Sequence, residues 1–137
     1  MIRPGLYTIA DYALTTAVAA LALSPIVDLE GMEELSVEFN FAYGSGGTSL
    51  KAWLQTSLSQ GTRWRDLACF TATTASKNRD FSLRRTADTG FWTPGSGTLP
   101  DDTIASSIVF GDRLRLLMTS VGTYAGGTVL SARAAAT

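Results

Sequence analysis

The stretch "LSVEFNFAY", Leu35 to Tyr43, decides the fold class. Leu35, Val37, Phe39, Phe41 and Tyr43 fall on one parity, and Ser36, Glu38, Asn40 and Ala42 on the other. Successive side chains of a strand point to opposite faces, so this alternation describes a sheet with one buried and one wet face. It runs into "GSGG", Gly44 to Gly47, a turn composition that tolerates positive φ. The reading is a hairpin, with "SLKAWLQTS" as the return strand. Leu50, Ala52 and Leu54 then point inward, and Lys51, Trp53 and Gln55 outward. Trp53, on the polar parity, is either a surface aromatic or one covered by a loop or another subunit.

Downstream, "TSLSQGTRWRDL" places Ser57, Ser59, Gly61 and Trp64 at the spacing S-x-S-x-G-x-x-W. It is similar, one residue away, to S-x-D-x-G-x-x-W, the Asp box on hairpins of sialidases and other sugar-handling β-proteins. There the acid accepts hydrogen bonds from the turn backbone, glycine supplies the dihedral and tryptophan packs beneath. A serine at 59 does the acceptor's job more weakly, so a hairpin staple is expected. "RWRDLACFT" follows as the third strand of a meander, and "DFSLR" as a fourth after the polar break "TTASKNR". Near the C-terminus, Leu114, Leu116 and Met118 alternate with Arg113, Arg115 and Leu117. Gly122 to Gly127 read as a turn, and a closing antiparallel strand lies near Thr128 to Arg133. Upstream, the apolar run Ala13 to Leu23 reads as a buried strand or short core helix. It lacks the charged flank of a signal peptide and is shorter than the ~20 residues a membrane helix needs. About seven to nine strands, with no convincing 3.6-residue period after residue 30, make an all-β sandwich or barrel. At 137 residues it is a single domain, 1–137.

Composition removes several function classes. Eleven Lys and Arg against twelve Asp and Glu give a net charge of -1, so nucleic acid is not an expected partner, and no membrane partner is expected either. Histidine is absent, which removes the commonest general base and metal ligand. One cysteine, Cys69, cannot form an intrachain disulfide and reads as a small core hydrophobe. Adjacent Asp101 and Asp102 read as loop-solvating acids rather than a calcium site. Lys77, Arg79, Arg84 and Arg85 read first as a guarded strand edge, and second as a contact for a phosphate or an acidic surface. No catalytic residue, cofactor or metal is expected.

Two segments stand out as contact elements. Thr86 to Asp102 is a long Gly/Pro loop, and such loops tend to be functional or mobile. Its Phe91 and Trp92 are either interface anchors or a flap over an open end of the sandwich. "MIRPGLYTIADYA", residues 1–13, reads as a short N-terminal arm that orders on docking, with Tyr7, Ile9 and Tyr12 as anchors.

From Ser24 to Leu67 the chain resembles the first half of jelly-roll sandwiches of the galactose-binding type. Ser24, Pro25, Val27, Asp28, Leu29 and Gly31 match the phrase before the long strand, and Ser57, Gly61 and Trp64 match the box. Ser59 departs from it. The phrases "FAYGSGG", "WLQTSLSQGTRW", "ACFTATTASKNRDFSL" and "GDRLRLLMTSVGTYAGGTVL" are also similar to small proteins encoded among head and tail genes of tailed bacteriophages. The first resemblance implies an antiparallel jelly-roll-like β-sandwich. The second implies a non-enzymatic virion protein, assembled in the host cytoplasm. Its most direct form is a capsid decoration protein, a homo-oligomer docking on the major capsid protein or other virion proteins. A neck or tail protein, and a carbohydrate-binding module for a host-surface glycan using Trp53 or Trp92, are the alternatives.

Overall fold

The computed structural model describes residues 5–87 and 90–137, and the described residues are all-β. Seven long strands are β1 (Gly5–Ala13), β3 (Glu34–Ala42), β5 (Ser49–Thr56), β6 (Arg65–Ala72), β7 (Lys77–Arg84), β8 (Leu114–Val121) and β10 (Val129–Ala136). Three two-residue strands, β2 (Leu21–Ala22), β4 (Ser45–Gly46) and β9 (Tyr124–Ala125), complete the set. One four-stranded sheet has the order β1-β10-β3-β7, and the second β2-β8-β5-β6.

That order is a jelly roll. β1 pairs with β10, β2 with β8, β3 with β7 and β5 with β6, all antiparallel, as in one long nested hairpin. Rolling this ribbon up brings β10 beside β3 and β8 beside β5. The inward parity of β3 is buried throughout, and the Phe39 ring stacks on Phe70 of the opposite sheet with centroids 4.9 Å apart. Tyr124 is fully buried and donates its hydroxyl to the Thr73 carbonyl at 2.7 Å.

The expected hairpin between Leu35–Tyr43 and the strand after "GSGG" is corrected. β3 and β5 lie in different sheets, so the glycine turn crosses the sandwich and its Ser45–Gly46 pairs with β9 instead. The same holds after β6, whose successor β7 returns to the first sheet. A period of two reports which face is buried and is silent about which sheet the strand joins. The glycines serve the crossing: a Cβ on Gly44 would collide with the Gly126 carbonyl.

Two N-terminal readings also change. Of the expected arm, Gly5–Ala13 is strand β1, paired along its length with β10, with a register shift between Thr8 and Ala10. Met1 to Pro4 lie outside the described residues. Ile9 and Ala10 are buried in the core, and Tyr7 and Tyr12 pack against it half-buried. The run Ala13 to Leu23 is neither a continuous strand nor a helix. Ala13 ends strand β1, Leu14 is buried, and Leu21–Ala22 joins the second sheet, opposite Met118 and Leu117.

Candidate functional site

The hairpin joining β5 and β6 carries the Asp-box-like spacing, and its polar groups are turned onto itself. Ser57 Oγ accepts from the Gly61 amide at 2.9 Å and the Ser59 amide at 3.3 Å, and donates to the Arg63 carbonyl at 2.7 Å. Ser59 Oγ accepts from the Arg63 amide at 2.8 Å. Gly61 stands at φ 91, where glycine is favoured. Trp64 Nε1 donates to the Gly61 carbonyl at 3.1 Å, and the Arg115 guanidinium lies 4.1 Å from the Trp64 ring centroid. Burial lowers the pKa of Arg115, because desolvation disfavours the charged guanidinium. The acceptor work expected of Ser59 is thus shared, and the fully buried Ser57 carries the larger part. Ser57→Ala is expected to lower stability by about 1–2 kcal/mol, since the Gly61 amide loses its acceptor. Equilibrium urea unfolding checks this, and the transition should stay cooperative.

Beside the hairpin lies a polar layer that sequence reading missed. Asp66, 7% exposed, accepts from the main-chain amides of Gly97 at 2.8 Å, Thr98 at 2.9 Å and Leu99 at 3.2 Å. Gln55 Nε2 donates to the same carboxylate at 2.9 Å and to Ser96 Oγ at 2.9 Å. Its Oε1 accepts from Arg115 Nε at 2.9 Å. The Gln55 amide therefore links the arginine to the aspartate. A register shift between Leu54 and Gln55 sets Asp66 opposite Gln55, on the outer face of the sheet. Such a bulge moves a side chain to the other face without a mark in the apolar pattern.

This carboxylate ties down the long loop. The Thr86–Asp102 segment, whose Asp88 and Thr89 lie outside the described residues, folds back over the outer face of the second sheet. Trp53 is 8% exposed beneath it, with its indole N–H on the Leu99 carbonyl at 3.2 Å. Of the readings for Trp53, the covering loop is the one found, and its role as an exposed contact or sugar platform is corrected. The chain then runs along the free edge of β6: Cys69 N donates to the Thr103 carbonyl and Ala105 N to the Leu67 carbonyl, each at 2.9 Å.

Phe91 and Trp92 part company. Phe91 is wholly exposed, and Trp92 keeps 39% of its surface exposed while lining a groove of about 520 Å³. Arg65, Asp66, Leu67, Thr98, Ser106 and Ser107 also line this groove. Of the candidate contact residues, Ile9 and Trp53 are thus interior, Tyr7 and Tyr12 are half-buried on β1, and Phe91 and Trp92 remain presented on one loop.

The acids and bases noted in the sequence are engaged in structural pairs. Asp101 meets Lys51 at 2.9 Å and Asp102 meets Lys77 at 3.0 Å. Burial raises the Asp102 carboxyl, but hydrogen bonds from Lys77 and Thr71 outweigh it, and the pKa is lowered overall. Arg84 pairs with Glu34, Arg85 donates to the Met32 carbonyl and Arg79 to the Asn78 carbonyl. Cys69 is buried, and desolvation pushes its thiol up to about 11. No group of three metal-ligating side chains occurs among the described residues. Neither a family model, nor a curated protein, nor a solved structure matches the chain.

Proposed function

We propose that this chain is a non-enzymatic structural component of a tailed-phage virion, a decoration protein that docks on the head surface through the Gly90–Pro94 tip of its long loop. The resemblance of its sequence phrases to those of small phage head and tail proteins suggests the setting. The observation that carries the docking reading is Phe91, wholly exposed on a loop whose base is pinned by the Asp66 carboxylate. A bulky aromatic held in water contributes nothing to the fold, and its burial against a partner stabilises a complex by about 1.5–3 kcal/mol. Such residues are common anchors of interfaces, and a fixed loop base lowers the ordering cost of docking. Consistent with a scaffold rather than a reaction centre, most acidic side chains near the loop are ion-paired or capping backbone amides.

Phe91→Ser tests this. Removing an exposed ring leaves stability within about 0.5 kcal/mol. The lost anchor should cut particle incorporation by roughly tenfold or more, the equivalent of ~1.4 kcal/mol. Quantitative mass spectrometry of purified particles from cells carrying either version reads the effect. Equal incorporation of the two proteins would remove Phe91 as the anchor.

A further inference from the structure

The first sheet ends on β7, which among the described residues has no strand on its far side. The Arg85 amide bonds the Glu33 carbonyl, and this sets the phase of the ladder with β3. Odd-numbered residues of β7 therefore turn their peptide groups toward β3, and Asn78, Asp80, Ser82 and Arg84 turn theirs outward. Both ends of that edge are occupied. Arg79 Nη1 donates to the Asn78 carbonyl at 2.7 Å, and just past Arg84 the Thr86 amide meets the Ile108 carbonyl at 3.0 Å. Between them the outward main-chain groups of Asp80 and Ser82 have no partner among the described residues, and the centre of this window is Phe81. The charged residues expected to guard the edge are drawn elsewhere, Lys77 onto Asp102 and Arg84 onto Glu34.

We propose that this edge pairs with the same edge of a second copy, antiparallel about a two-fold axis at Phe81. In that register Asp80 of each copy lies opposite Ser82 of the other, and each such pair exchanges two N–H···O bonds. Neighbouring registers fail. Centring on Asp80 or on Arg79 sets like charges face to face, and centring on Ser82 puts Asn78 of the other copy where Ile108 already sits beside Thr86. On the inner side, Phe81 is half-buried, stacks on Phe39 and borders a groove of about 220 Å³ shared with Phe70 and the exposed Ile104. The axis sets the two Phe81 side chains opposite each other at a non-hydrogen-bonded position, where cross-strand side chains approach most closely. On the outer side Asp80 stands directly opposite Glu38, a repulsive arrangement, and Arg133 beside Glu38 is taken by Asp11. Asp80 has no ion pair among the described residues. Arg84 of the other copy falls diagonal to Asp80, within reach of a long side chain, so a second copy supplies the cation that this sheet lacks.

Sedimentation velocity of the full chain from roughly 1 μM to 1 mM reads the association. The chain should pass from monomer to dimer as concentration rises, and the Asp80 and Ser82 amides should gain hydrogen-exchange protection. Ser82→Pro deletes an outward amide without touching the ladder to β3, and should weaken dimerisation by about tenfold or more. Asp80→Lys relieves the repulsion with Glu38, so its melt should hold or rise. It also sets like charges across the axis, so the dimer should weaken to a similar degree and recover when Arg84→Glu is added. Phe91→Ser should dimerise as the unaltered chain does, which separates this contact from the docking tip. A chain that stays monomeric throughout would overturn the proposal. So would a dimer that forms undiminished in both Ser82→Pro and Asp80→Lys.

Discussion

Asp66→Ala is expected to destabilise the protein by about 3 kcal/mol, because charged hydrogen bonds of ~1.5–3 kcal/mol each are lost and their donors are left partly buried. For a domain of this size that corresponds to a fall in Tm of roughly 10 °C. The local consequence is as specific as the global one. Gly97, Thr98 and Leu99 direct their amides at the carboxylate, so those amides should lose hydrogen-exchange protection. Trp53, whose indole N–H is held by the Leu99 carbonyl, should become solvent-exposed and its fluorescence should shift to the red. Asp66→Asn keeps an acceptor and should fall between the two. A melt and a fluorescence spectrum unchanged in Asp66→Ala would show that the loop is held by something else.

Removing residues 1–13 should be more damaging still. An arm that orders only on docking could be cut away with no change in the melt. Strand β1 cannot, because it covers β10 from Gly5↔Ala136 to Ala13↔Val129 and puts Ile9 and Ala10 into the core. Burying a large apolar side chain contributes about 1.5–3 kcal/mol, so Ile9 with half of each of Tyr7 and Tyr12 amounts to ~4 kcal/mol or more. Against a total stability of about 5–15 kcal/mol, losing that and the strand's hydrogen bonds leaves a chain near its threshold. The truncated protein should lose cooperative thermal unfolding by circular dichroism, and Ile9→Ala alone should cost about 2–4 kcal/mol. A truncation that melts as the full chain does would restore the arm.

How much of this was legible in the sequence depended on the kind of signal. The alternation of Leu35 to Tyr43 and the inward set Leu50, Ala52 and Leu54 identified strands and their buried faces, because burial follows a period of two. Their partners were not legible. "GSGG" looks like a hairpin turn and is a crossing, and pairing is decided by the roll of the whole ribbon. The Ser57–Trp64 staple could be read because its residues are close in sequence. The Asp66 anchor could not, since the loop amides it holds lie 31 to 33 positions away and a bulge puts it on the unexpected face. Residues 1–13 lack a clean alternation, as the shift at Thr8/Ala10 buries two consecutive side chains, and they read as an arm for that reason. Of the two tryptophans suspected of exposure, Trp53 is covered by a loop whose path composition does not encode.

The most direct measurement of the proposed role is the copy number of this chain in purified tailed-phage particles. A decoration protein docking by a single loop should be present in roughly hundreds of copies, following the symmetry of the head. It should be depleted in Phe91→Ser particles of otherwise equal protein composition. About six to twelve copies would move it to a neck or tail ring, and absence from the particle would contradict the virion role outright.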